Sequence, residues 1–229
     1  MAATWSACST RPARSGPSDL ALLLAPPGSG LRRPTFRTLK AGSSLVRLYD
    51  PSRYGTQALT FSHNGPRGRF DHHRLPPAGS GPTWDDPDRG IYYAALTLSC
   101  CLVEVFGDTR LIDRPQVRVA LPTLTRDLHL LDLRGAAAMR AGTVAALSGE
   151  GDRALTQAWS RYFYEEGSLH RCDGLMYRGA HNAEVAFALY ERARDGLECP
   201  AGQVLSLSDP LLRPELLRIA LRHGMDVLV

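Results

Sequence analysis

Hydrophobic and polar positions divide the chain near residue 40. Residues 1 to about 40 are rich in Ser, Pro, Gly, Ala and Arg. Their one apolar run, residues 20–24 behind the capping residue Ser18, predicts at most one short helix in a flexible basic arm. From Ser44 the pattern tightens. "SLVRLYDPSRYG" predicts a short strand stopped by Asp50-Pro51, and "ALTFSHNGPRGRFDHHR" predicts an extended piece broken at Asn64-Gly65-Pro66. Residues 75–90, "LPPAGSGPTWDDPDRG", predict an irregular loop.

"GIYYAAL" has the aromatic and small apolar content of a buried strand, and Thr97 then offers a hydroxyl cap to a helix, "LSCCLVEVFG", stopped at Gly107. "QVRVALPTL" and "DLHLLDL" alternate as half-buried strands do. "EGDRALTQAWSRYFYEE" returns to helical spacing, with Ala154, Ala158, Trp159 and Tyr162 predicted on one face. "DGLMYRGAHNAEVAFALYERA" predicts a strand, a sharp turn and a second strand or helix start. "QVLSLSD" follows as a strand, then a helix expected to bury Leu212, Leu216, Leu217, Ala220 and Leu221, and "MDVLV" as an edge strand. Short strands mixed with helices, without regular strand–helix alternation, predict an α+β fold: one domain over residues 41–229 behind an arm of residues 1–40.

Composition changes this picture little. The longest apolar runs are too short for a membrane span or a signal segment, so a cytoplasmic protein is expected. The five cysteines have no metal spacing, and adjacent Cys100 and Cys101 on an apolar segment read as buried, reduced thiols. The net charge of +4 is uneven, because residues 1–44 hold six basic groups against Asp19 alone. The globular part is near neutral, which argues against a nucleic-acid-binding face spread over the whole protein.

Candidate chemistry starts from ionisable groups set in apolar surroundings: Arg47 in "LVRLY", Arg69 in "RGRFDHH" and Glu104 in "CLVEVFG". Such groups are costly to bury unless paired with each other or kept for a ligand. Asp71, His72 and His73 invite a metal reading, but neighbouring histidines on an extended strand point to opposite faces, so no metal is expected. Asp85, Asp86 and Asp88 lack calcium-loop spacing and read as a solvated loop.

The order Arg47, Arg69, Tyr93, Glu104, with the framing "RGRF", "GIYYAALTLSCCLVEVF" and "DGLMYRG", resembles the RES family over about Leu45 to Ala193. The resemblance implies an ADP-ribosyltransferase-like fold of mixed and antiparallel sheets flanked by helices. It also implies destruction of NAD⁺, by glycohydrolysis or phosphorolysis, and the role of toxin beside a helix-turn-helix antitoxin of Xre type. NAD⁺ is then a substrate, with inorganic phosphate as a conceivable co-substrate and no further cofactor. Nucleic acid would be reached only through the antitoxin, and a homodimer is left open.

Within that resemblance Arg47 and Arg69 are candidate clamps for the pyrophosphate, since a guanidinium fork gives paired charge-assisted hydrogen bonds. Tyr93 can stack on the nicotinamide ring, with Tyr92 on the other side of the strand. Glu104 is the candidate for stabilising positive charge on the sugar. The chain departs from the pattern at Gly179, where a serine is expected, and so the backbone N–H of Gly179 and the side chain of His181 or Asn182 stand as substitutes. Mono-ADP-ribosyl transfer, or NAD binding without turnover, are the alternatives.

Overall fold

The computed structural model describes residue 26 and residues 33–53, 55–166 and 172–229. The apolar run at residues 20–24 lies outside them. A mixed five-stranded sheet forms the centre, in the order β1 (Phe36–Leu39), β9 (Leu128–Asp132), β10 (Gly174–Arg178), β11 (Val185–Tyr190), β5 (Ile91–Ala95). β9 and β10 run parallel and the other pairs antiparallel. Residues 36–39, assigned to the arm from composition, are therefore the sheet's edge strand, in register with residues 128–131. Lys40 and the Ala41 N–H then both bind the Asp127 carboxylate at 2.9 Å.

Both faces of the sheet are covered, which is why β10 and β11 read as continuous apolar runs. Leu175, Tyr177, Ala186, Ala188 and Tyr190 face one core with Phe70, Trp159 and Phe163. Met176, Phe187 and Leu189 face the other with Tyr92, Leu128 and Leu130. Tyr92 and Tyr93 do take opposite sides of β5.

A second layer contains β2 (Arg47–Tyr49), β7 (Arg118–Ala120) and β13 (Val204–Ser206) in one antiparallel sheet, crossed by α1 (Leu98–Phe106). α1 begins as its sequence implies, with the Thr97 hydroxyl accepting from the Cys100 N–H at 3.0 Å. Its Leu102, Val103 and Phe106 pack on Leu216, Ile219 and Ala220 of α4 (Arg213–His223). Short ladders complete the fold: β3 (Asn64–Gly65) with β4 (Trp84–Asp85), β8 (Thr123–Leu124) with β12 (Leu197–Glu198), and β6 (Leu111–Ile112) in parallel with β14 (Asp226–Val227). Asn64-Gly65 is thus a paired strand and not a break, and its partner lies inside the expected loop. Asp86 in that loop is buried, accepting from the Arg74 N–H at 2.9 Å and pairing with the Arg74 guanidinium. The loop is solvated only in part.

Two helices turn different faces inward from those expected. α2 (Ala136–Arg140) is short, and α3 (Arg153–Glu165) buries Thr156, Gln157, Trp159, Ser160 and Phe163, leaving Ala154 exposed and Ala158 and Tyr162 half-buried. α4 buries Leu216, Ile219 and Ala220, whereas Leu217 is 48% and Leu221 86% exposed. Leu221→Ser is accordingly expected to change unfolding free energy by less than about 0.5 kcal/mol in a denaturant titration, the usual limit for surface changes.

Candidate active site

The segment 67–71, between β3 and β5, has no ladder of its own, so side chains set its shape. Asp71 is buried and accepts from the backbone N–H of Arg67 at 2.6 Å, of Gly68 at 2.8 Å, and from the Tyr93 hydroxyl at 2.7 Å. That hydroxyl itself accepts from the Phe70 N–H at 2.9 Å. Burial, with Asp71 facing it, raises the Tyr93 phenol well above its ordinary value and keeps it a donor. From the other side Gln157 Nε2 donates to the Gly68 carbonyl at 3.0 Å and Ser160 Oγ to the Phe70 carbonyl at 2.7 Å. The polar stripe on α3 is thus spent on carbonyls of this loop. Gly68 leaves the room this requires, because a Cβ would lie 2.6 Å from the Tyr93 hydroxyl oxygen and 2.7 Å from Asp71 Oδ1.

This loop, β5, β10 and α1 enclose an open cavity of about 300 Å³. Arg69, Tyr93, Glu104, Arg153, Tyr177 and His181 line it, beside Cys100 and Cys101. Arg69 donates to the Glu150 carbonyl. Burial and the nearby Arg153 guanidinium lower its pKa, with Glu104 acting against them. Neither Arg47 nor Arg69 forms an ion pair with Glu104 among the described residues, so the internal-pair reading does not hold; Arg69 and Glu104 line the same cavity.

A second compartment of about 250 Å³ shares Leu48, Arg67, Gly68 and Tyr93 with the first and adds Arg47, Asn64 and Asp71. Arg47 is 9% exposed, with its guanidinium carbon 4.0 Å from the centroid of the Tyr92 ring. Desolvation by burial lowers its pKa, against the opposing effect of Tyr92. Its Nη1, and Asn64 Oδ1, are buried without a hydrogen-bond partner.

Glu104 sits in the last turn of α1, and its side chain is 28% exposed. Its Oε1 accepts at 3.2 Å from both the backbone N–H and the Nδ1–H of His181, whose Nε2–H donates to Asp108 Oδ1 at 3.1 Å. The turn after β10 therefore reaches the carboxylate, as expected for a site, but through His181. Gly179 is buried, and its N–H donates to the Glu184 carbonyl at 2.8 Å, which removes it as a donor to a ligand. A Cβ at Gly179 would stand 2.9 Å from Glu104 Oε1. Asn182 points to Ser99 and the Glu184 N–H instead.

His72 and His73 lie outside any strand, and their rings stack 5.8 Å apart instead of facing opposite ways. Burial holds His72 below its ordinary pKa, so the neutral ring donates from Nε2 to Glu191 Oε2 at 3.0 Å. His73 Nε2 meets the Ser62 carbonyl at 3.0 Å. No group of three or more metal-ligating side chains is found among the described residues. Nor, among them, is any helix long and apolar enough to cross a membrane. Cys100 and Cys101 are buried, and burial first, then Glu104, raises the Cys100 thiol to about 12.

Arg153 and Tyr177 escaped the sequence reading, and Asp71 enters it only as a rejected metal ligand. For Arg153 a signal existed: it follows the helix cap Asp152 directly, and a cation in a first turn opposes the helix dipole.

A family model described as the RES domain matches residues 44–209. Among solved structures, the crystal structure of the M. tuberculosis MbcT–MbcA toxin–antitoxin complex is similar to this chain at 20% identity. The match has a TM-score of 0.48 and covers 78% of this chain and 91% of that one. No curated protein is significantly similar.

Proposed function

The chain belongs to the RES domain family, and on that footing we propose that it cleaves the nicotinamide–ribose bond of NAD⁺ as the toxin of a toxin–antitoxin pair. One observation carries the reading: a single cavity of about 300 Å³ is lined by the Glu104 carboxylate, the Arg69 and Arg153 guanidiniums and the rings of Tyr93 and Tyr177 together.

The chemistry suits those groups. Nicotinamide in NAD⁺ is a cation that departs neutral, so the leaving group needs no proton donor. As the bond lengthens, positive charge passes to the sugar, where a fixed carboxylate stabilises it. The guanidiniums face the other end of the charge distribution, the pyrophosphate, and Arg47 in the adjoining compartment offers a buried, unpartnered donor for the same group. Arg47→Ala is expected to raise KM for NAD⁺ by about 10- to 100-fold with little change in kcat, as loss of one charge-assisted contact made before and during reaction would.

The purified full chain is incubated with NAD⁺, with and without inorganic phosphate, and nicotinamide is measured. Release supports the reading, and no release in either condition overturns it. Label from NAD⁺ retained on a macromolecule would turn the assignment to ADP-ribosyl transfer. The partner expected of a toxin is a small helix-turn-helix protein encoded in the adjacent reading frame, whose co-expression should relieve growth arrest.

A further inference from the structure

We infer that His181 is the residue that positions Glu104, standing in for the side chain that position 179 lacks. The inference rests on Glu104 being the reacting carboxylate, and it concerns what holds that carboxylate in place.

The contact geometry comes first. One carboxylate oxygen, Glu104 Oε1, receives both the backbone N–H and the ring Nδ1–H of His181, while Asp108 takes the opposite ring nitrogen and fixes the plane of the imidazole. With two donors on the same oxygen and the ring pinned at its far side, rotation of the Glu104 carboxylate breaks at least one bond. Glu104 also lines the cavity.

Two glycines make room for this arrangement. Gly107 closes α1 with φ −60°, a conformation open to any residue. Its lack of a side chain matters for space, since a Cβ would meet the Val103 carbonyl and come within 2.6 Å of His181 Cδ2. At Gly179 a Cβ would approach Glu104 Oε1 to 2.9 Å and Cys100 Sγ to 3.3 Å, the space that the two His181 bonds to Oε1 now leave clear.

The turn carrying His181 is tied to α1 at both ends, so its position is not left to a free loop. Glu184 accepts from the hydroxyls of Thr97 and, at 2.9 Å, Ser99 at the start of α1, and its N–H donates to Asn182 Oδ1 at 3.1 Å. Glu104 and Asp108 hold the same turn at the helix's other end.

Charge completes the case. Burial alone would lower the His181 pKa, but the hydrogen bonds it donates to Asp108 and Glu104 outweigh burial and raise it above 6.5. Sharing the cavity with Glu104 are Arg69 and Arg153, both cations, and Tyr177, raised by burial, from other elements, and Cys100 one turn earlier on α1, whose thiol is raised to about 12. In the neutral range His181 is thus the group near Glu104 whose charge changes. Its cationic form bridges the two carboxylates and is lost as pH rises through its raised value.

The test uses the full chain. Proton NMR titration of the His181 ring is expected to give a pKa above 6.5 that falls in both Glu104→Gln and Asp108→Asn; a ring that titrates alike in all three overturns the inference whether or not NAD⁺ is cleaved. On the activity side, His181→Gln is expected to lower kcat by about 10- to 100-fold, the scale of a misplaced reacting group, with KM little changed and the alkaline fall in kcat abolished. Adding Gly179→Ser in that background is expected to recover part of the turnover once the Glu104 side chain, 2.9 Å from the added Cβ, shifts to accept from the new hydroxyl; unchanged kcat in His181→Gln, or a change in KM alone, overturns the inference. Wild-type protein that releases no nicotinamide rejects the proposed reaction instead, and leaves the titration as the measure of this contact.

Discussion

Glu104→Gln is expected to lower nicotinamide release by about 10²- to 10³-fold at saturating NAD⁺, the magnitude seen when a preorganised charge is removed from a transition state. The amide is isosteric, so the cavity walls, the Arg69 and Arg153 guanidiniums and the Tyr93 and Tyr177 rings stay where they are. Binding is therefore expected to change by less than about threefold, and the loss to appear in kcat. Equilibrium binding of NAD⁺ to the variant, measured beside single-turnover release, separates the two. A KM effect without a kcat effect would move Glu104 from the sugar's developing charge to ground-state binding. The substitution also leaves an amide against two His181 donors, and so part of the loss belongs to that misfit; Asp108→Asn, which loosens the His181 ring but keeps the Glu104 carboxylate, provides the comparison.

The order of elements was legible because local rules agreed with the tertiary structure. The Thr97 cap and the hairpin around Gly179 satisfy backbone groups within a few residues, and the "GIYYAAL" strand declares itself by its apolar content although its ladder partner is the distant β11. The failures share one physical origin, namely partners distant in sequence. On α3 the buried side is polar because Gln157 and Ser160 bind carbonyls at Gly68 and Phe70, 89 and 90 residues away, which no periodicity reveals. On α4 five apolar residues suggested one wide face, yet α1 covers only the side of Leu216, Ile219 and Ala220. Residues 36–39 have too little apolar pattern to announce a strand, and they gain one by pairing with Leu128–Leu131. For the site, Arg69, Tyr93, Glu104 and the turn at Gly179 do converge. What the sequence hid is the support: that Asp71 joins Tyr93 to the arginine loop, that Gly107 admits the His181 ring and that Gly179 leaves room for the Glu104 carboxylate.

That support makes Asp71→Ala the other large expected effect. The carboxylate accepts three hydrogen bonds, two from backbone N–H groups and one from the Tyr93 phenol, all part-buried. Removing it leaves those donors without their acceptor, at about 1–3 kcal/mol for each that water cannot reach, so a loss of roughly 3 kcal/mol in denaturant unfolding is expected. Below the unfolding midpoint the folded variant should still cleave NAD⁺ about 10²-fold more slowly, because Arg67 and Arg69 ride on the released loop and a displacement near 1 Å has that cost. Tyr93→Phe tells the two uses of the tyrosine apart. A ring that serves only to stack on nicotinamide is preserved in phenylalanine, and activity would stay at the wild-type level. A hydroxyl that anchors the loop is lost, leaving the Phe70 N–H and Asp71 Oδ1 each one partner short, so both stability and turnover should follow Asp71→Ala in the same direction by smaller amounts. The geometry favours the second outcome, since the phenol stands between Asp71 and Phe70 with both of its hydrogen-bonding roles already filled by the loop.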